Sequence, residues 1–138
     1  MLYSKTAKYA VLALAEIAGH PHGRVVTTRS LAEAISAPYP LLAKVINQLH
    51  RAGFVVATRG KRGGIRLAQP PEQITIKDVV ITLDGPSILD KCPLQLTPCR
   101  QDGPCPLQSI WKPTRDAVVA FLESTTIQAV ADACQPMT

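Results

Sequence analysis

Residues 30 to 67 read SLAEAISAPYPLLAKVINQLHRAGFVVATRGKRGGIRL, and this stretch decides the fold. Ser30 and Glu33 have the spacing of a capping box, in which each side chain satisfies the other residue's amide, so a short helix from Leu31 to Ile35 is expected. Ser36-Ala37-Pro38 breaks it. Pro40 suits the start of a second helix, where its missing N–H costs nothing, and Gly53 suits the end, which places that helix at Pro40 to Arg51. Leu41, Leu42, Val45, Ile46 and Leu49 give it an apolar face, leaving Tyr39, Pro40, Ala43, Lys44, Asn47 and Gln48 outside. Two helices joined by a tight turn have the outline of a helix-turn-helix. Phe54 to Arg59 and Ile65 to Leu67 are β-prone runs around the turn Gly60-Lys61-Arg62-Gly63-Gly64, a hairpin that gathers Arg59, Lys61 and Arg62. A basic hairpin directly after a helix-turn-helix reads as a wing. The turn is no nucleotide loop, because neither a following helix nor a Gly-Lys-Ser/Thr ending is present.

Upstream, Ser4 can cap a helix running to Gly19, with Thr6, Tyr9, Ala10, Ala13, Leu14 and Ile17 on one stripe. Val25-Val26-Thr27 is long enough only for a small strand. Downstream, Pro70-Pro71 marks a boundary, and Thr75 caps a short helix through Leu83 that ends at Asp84-Gly85-Pro86. Leu107 to Glu123 carries a helical apolar stripe at 107, 110, 111, 114, 118, 121 and 122, in which Pro113 is expected to cause a kink or a start just before Lys112. Thr125 to Asp132 can form one more short helix. The expected class is mostly α with a small β-hairpin wing. A winged helix-turn-helix would occupy residues 1–70, and residues 71–138 would hold a sensor and dimerisation region with a short helix at 75–83, a cysteine loop at 90–106 and a long helix at 107–124.

The charge is unevenly placed. Of the formal net +5, residues 1–70 hold ten Lys/Arg against Glu16 and Glu33, whereas residues 71–138 hold five against eight acids. A basic front half implies a polyanionic partner there, and the acidic back half implies another task. No basic leader with an apolar run opens the chain and no uncharged stretch is long enough to span a bilayer, so a cytoplasmic protein without a membrane partner is expected.

Cys92, Cys99 and Cys105 lie seven and six positions apart, in a segment interrupted by Pro93, Pro98, Pro104 and Pro106. Those prolines forbid a continuous helix or central strand. Three thiols this close in sequence can all reach one metal centre, because loops of this length close at modest entropic cost. In a reducing compartment such a cluster reads as metal ligands or redox-active thiols, not structural disulfides. No paired acids, nucleophile–His arrangement or cofactor loop accompanies them, which argues against an enzyme.

Taken together, SKTAKYAVLALAEIA at the start, SLAEAIS, LLAKVINQLHRAGFV, RGKRGGIRLA, ITIKDVV, the three-cysteine loop and the helix containing Trp111 make nearly the whole chain resemble the IscR/NsrR family of bacterial winged-helix transcription regulators. The resemblance implies a homodimer whose long C-terminal helices cross. It also implies an iron–sulfur cluster, 2Fe–2S ahead of 4Fe–4S, held by Cys92, Cys99 and Cys105 and altering operator affinity. The first cysteine interval is one residue longer than the family pattern. Where IscR-type members carry a ligating His this chain has Gln108, and where NsrR-type members carry an acid it has Lys8. An amide oxygen is a poor ligand for cluster iron and a protonated lysine is none, so a labile cluster, absent from some isolated protein, is expected.

The expected function is a dimeric, sequence-specific regulator on a palindromic double-stranded operator. Lys44 and Asn47 would reach base edges, Arg59, Lys61 and Arg62 the phosphates or minor groove, and Thr28, Ser30, Tyr39 and Pro40 complete the expected DNA contacts. One alternative keeps DNA binding but puts zinc or reversible thiol chemistry at the cysteines. Another, of a different class, is an iron–sulfur electron carrier or assembly factor; the basic front half and wing argue against it.

Overall fold

Helix α1 spans Lys5–Ala18, and its alanines explain its position in the fold. Ala7, Ala10, Ala13 and Leu14 are wholly buried, and α1 packs against all of α2 (Thr28–Ala34), α3 (Tyr39–Arg51), α4 (Ile76–Asp84) and α6 (Ile127–Cys134). Methyl side chains let several helix axes approach one helix closely, which larger residues would prevent. The computed structural model describes residues 3–90 and 107–134. Besides these helices it contains the antiparallel pair β1 (Val55–Thr58) and β2 (Gly64–Leu67), 3-10 turns at Pro71–Gln73 and Pro86–Asp90, and α5 (Gln108–Ser124). A single apolar core joins residues of α1 to α4 and the hairpin with Leu122, Ile127 and Ala131 near the C-terminus. Each fully buried leucine, such as Leu14, Leu42, Leu49 or Leu122, contributes about 2–3 kcal/mol by leaving water.

Capping bonds set where the helices begin. The Ser4 hydroxyl accepts from the Ala7 N–H at 3.0 Å and donates to Asp84, whose carboxylate also accepts from the Ser4 N–H at 2.8 Å. Asp84 is the last residue of α4, so its negative charge sits at the positive end of the α1 dipole and ties the two helices together. Helix α2 differs from expectation. It starts at Thr28, capped by Thr27, whose side chain accepts from the Ser30 N–H at 3.0 Å; the Ser30 hydroxyl donates to the Thr27 carbonyl at 2.9 Å, and the capping box with Glu33 does not form. The reason lies across the fold: Val26 pairs with Ile65 through bonds of 2.9 and 2.7 Å, so the chain stays extended up to Thr27 and turns helical directly after it. The small strand expected at Val25 to Thr27 is this single bridge. Thr75 and Asp78 do form a reciprocal capping box at the start of α4.

The turn between α2 and α3 closes with Ala37 N–H on the Ala32 carbonyl at 2.9 Å and Ser36 N–H on Glu33 at 3.3 Å. This is the Schellman pattern, and its left-handed position is Ser36 at φ 55°. Helix α3 ends by the same device, with Phe54 bonded to Leu49, Gly53 to His50, and Gly53 at φ 85°. It begins at Tyr39, one residue before Pro40, which still occupies the first turn, where no amide is missed. Helix α5 runs through Pro113 from Gln108, so the start just before Lys112 that was one of the two expectations does not occur. The bond that Pro113 cannot make is to the carbonyl of Ser109, an exposed residue that water can serve. Beyond α5 the chain returns to the core: Ile76 N–H donates to Thr125 at 3.0 Å and Ile127 N–H to Ile74 at 2.8 Å.

The left-handed serine generates a stability prediction. Ser36→Gly should stabilise the protein by up to about 1 kcal/mol, since the strain of a side chain there exceeds the entropy glycine adds to the unfolded chain. Ser36→Val should cost about 1–2 kcal/mol, because branching at Cβ worsens that strain. Urea midpoints of the two variants would check the opposite signs.

Candidate nucleic-acid interface and cysteine segment

Helix α3 divides along its length. Leu42, Val45 and Leu49 have no exposed surface, whereas Pro40, Lys44, Asn47, Gln48 and Arg51 face outward. Lys44 and Asn47 are three positions apart and so share one side. Inward apolar anchoring leaves the helix rigid while its polar face stays free to meet a groove.

The wing is fastened to the same body. Ile65 of β2 pairs with Val26, immediately before α2, while Ala68 N–H donates to the Phe54 carbonyl at 2.9 Å and Gln69 Nε2 to the Gly53 carbonyl at 3.0 Å, just after α3. Both helices of the pair therefore carry the hairpin. Its turn exposes Arg59, Lys61 and Arg62. It can be this tight because Gly60 adopts φ 106° and Gly63 has no side chain: a Cβ at Gly63 would lie 2.2 Å from the Thr58 carbonyl oxygen. The structure thus brings the exposed α3 residues and the three wing cations onto one hydrogen-bonded unit.

Thr28 is half-buried, and Ser30 is exposed with its hydroxyl engaged by the Thr27 carbonyl. Tyr39 is 45% exposed, and the Arg29 guanidinium carbon stands 5.1 Å from its ring centroid. Arg29 was not among the residues that the sequence singled out. Its signal exists only in space, since ten positions and a turn separate it from Tyr39.

Cys92, Cys99 and Cys105 lie outside the described residues, as does most of the 90–106 loop. The flanks are described. Asp90, just before the segment, lies 3.7 Å from Arg115 in the middle of α5, and Arg115 also approaches its neighbour Asp116 at 3.6 Å. Such exposed pairs contribute well under about 1 kcal/mol and orient more than they stabilise. Among the described residues no group of three or more His, Cys, Asp or Glu could hold a metal ion, and Cys134 stands exposed at the end of α6. Helix α5 sends Leu122 into the core but leaves Ile110 and Phe121 at 70% and 54% exposure, and Leu107 just before it is 45% exposed.

Comparison with known proteins agrees with this geometry. The family model described as Rrf2, iron-dependent transcriptional regulator, matches residues 3–133. A protein of Aquifex aeolicus named as an HTH-type transcriptional regulator is 33% identical over 130 residues, covering 93% of this chain and 90% of its own. One of Mycobacterium tuberculosis with the same designation is 34% identical, covering 99% and 84%. Among solved structures, CymR, the global cysteine regulator of B. subtilis, superposes with a TM-score of 0.78 at 27% identity, covering 96% of this chain and 97% of that one. The IscR of T. potens superposes with a TM-score of 0.75 at 25% identity, covering 98% and 92%.

Proposed function

The chain belongs to the Rrf2 family of transcriptional regulators, and from that premise we propose a homodimer whose grip on a palindromic operator is set by the state of Cys92, Cys99 and Cys105. Membership makes it a DNA-binding transcriptional regulator and not an enzyme. No described helix is long and apolar enough to cross a membrane, and a cytoplasmic location accords with a DNA target. The observation that carries the finer reading is the joint body of α3 and wing, with Lys44 and Asn47 outward on a buried apolar base and three cations beside them.

In this mechanism α3 enters the major groove, and its twin enters the next groove face about 34 Å away. The Lys44 ammonium donates to guanine O6 or N7, and the Asn47 amide pairs with adenine N6 and N7. Arg59, Lys61 and Arg62 lie on phosphates or in the minor groove, with Tyr39, Pro40, Thr28 and Ser30 at the margin of the contact. The α5 helices meet through Ile110 and Phe121, which would otherwise remain in water.

Three cysteine thiolates are a donor set suited to an iron–sulfur cluster, 2Fe–2S ahead of 4Fe–4S, which when bound supplies a redox-responsive link among them. With Gln108 and Lys8 at the family's fourth-ligand positions, that set is incomplete in the familiar sense, so the cluster should be lost readily. This gap favours a second reading, in which zinc or reversible thiol chemistry occupies the same cysteines. Either way, the segment joins α4, clamped to α1 through Asp84 and Ser4, to α5, which Arg115 ties to Asp90. A group bound at the cysteines would favour one α4–α5 arrangement and thereby one separation of the two α3 helices.

Three measurements test this. Replacing Cys92, Cys99 and Cys105 by Ala should abolish bound iron and acid-labile sulfide in anaerobic protein and remove the difference in DNA affinity between loaded and stripped protein; equal affinities in the wild-type protein would end the sensing role. Arg62→Ala should weaken binding to all duplexes and flatten the salt dependence by about one unit per lost phosphate contact. Ile110→Asp should convert a dimer to a monomer in sedimentation while leaving the fold intact, because that side chain is exposed within the protomer.

A further inference from the structure

Arg29 sits in the first turn of α2 and Tyr39 opens α3, yet they form one surface unit at the N-terminal end of α3. With its carbon 5.1 Å from the ring centroid, the guanidinium is attracted by the negative face of the aromatic quadrupole. Both side chains are exposed, so the contact is not a by-product of core packing. Glu33, one turn further along α2, is the obvious alternative partner for Arg29. No such ion pair forms, and among the described residues no other carboxylate pairs with Arg29. The ring engages the guanidinium, while the fork of N–H donors carries no partner charge.

Resting on the placement of α3 in the major groove, we propose that Arg29 is a base-reading residue and Tyr39 its positioning residue. Stacked on Tyr39, Arg29 presents its fork to O6 and N7 of a guanine adjacent to the bases that Lys44 and Asn47 reach. The choice of a base over a phosphate follows from what the stack adds. A phosphate contact needs charge and tolerates a mobile side chain, as lysine shows. A two-pronged guanine contact needs a guanidinium whose plane is already fixed, and an aromatic partner does that. The pairing also explains why an aromatic residue stands exposed at the first position of α3, where it fills no part of the core.

The test uses the full chain. Duplexes with a randomised core are enriched on wild-type protein, and the recovered sequences are then compared for wild type, Arg29→Lys, Arg29→Ala, Tyr39→Leu and Asn47→Ala. The wild-type consensus should contain a guanine in each half-site whose replacement weakens binding roughly ten- to hundred-fold. Arg29→Ala should bind the two duplexes equally while keeping the other base preferences, Arg29→Lys should keep only part of the discrimination, and Tyr39→Leu should show a smaller loss of discrimination at that same position than Arg29→Ala. Retained discrimination in Arg29→Ala would overturn the proposal. So would an equal loss on every duplex for Arg29→Ala with a salt slope lowered by about one unit, the mark of a phosphate contact. If Asn47→Ala also keeps every base preference, the placement of α3 itself fails, and with it this inference; if Asn47→Ala loses its base while Arg29→Ala loses none, only the role of Arg29 fails.

Discussion

The architecture depends on how close other helices can come to α1. Ala7, Ala10 and Ala13 have no exposed surface, and the elements packed against them include both helices of the DNA-binding pair, α4 and the C-terminal α6. A larger residue at any of these sites would push an axis outward, and in a close-packed interior that displacement would reach α3. The recognition surface is therefore as well placed as α1 is narrow. The same helix carries at its N-terminus the Ser4–Asp84 clamp, so the element that supports DNA reading also holds the end of α4. From there the chain continues toward the cysteines.

The wing shows a second dependence. A two-stranded hairpin of four residues per strand is marginal in water by itself. Here it is kept by its edges: Val26 adds one bridge on the far side of β2, and Phe54 and Gly53 hold the chain after β2 against the end of α3. Those bonds connect the hairpin that carries the wing cations to the helix pair. The cost of bringing positive charges together on the turn is small because Arg59, Lys61 and Arg62 are exposed and screened.

How far local sequence could be read is clear from the helix starts. At Thr75 the cap is specified by Thr75 and Asp78 alone, and the box forms as expected. At Ser30 the same kind of pattern is present but loses to Thr27, because a strand bridge made by residues 39 positions away dictates where extended backbone ends. Pro113 gives the mirror case. Its local rule calls for a break, but placement in the early part of α5, opposite an exposed carbonyl, lets the helix pass. Local rules hold where the competing partners are also local.

By itself, the sequence determined the order of elements, the helical face that α3 buries, the glycine-dependent wing and the cysteine spacing. Each is set by side-chain chemistry repeated at short intervals, which folding cannot rearrange. Only the tertiary structure decided that Thr27 begins α2, that Leu122 and Ile127 return the C-terminal region to the α1 core, and that Arg29 stacks on Tyr39. Those outcomes depend on contacts between residues distant in the chain, whose geometry exists only after the helices have packed. For the three cysteines the sequence supplies the spacing and the structure supplies the flanks, Asp90 against Arg115 and α5 from Gln108 onward.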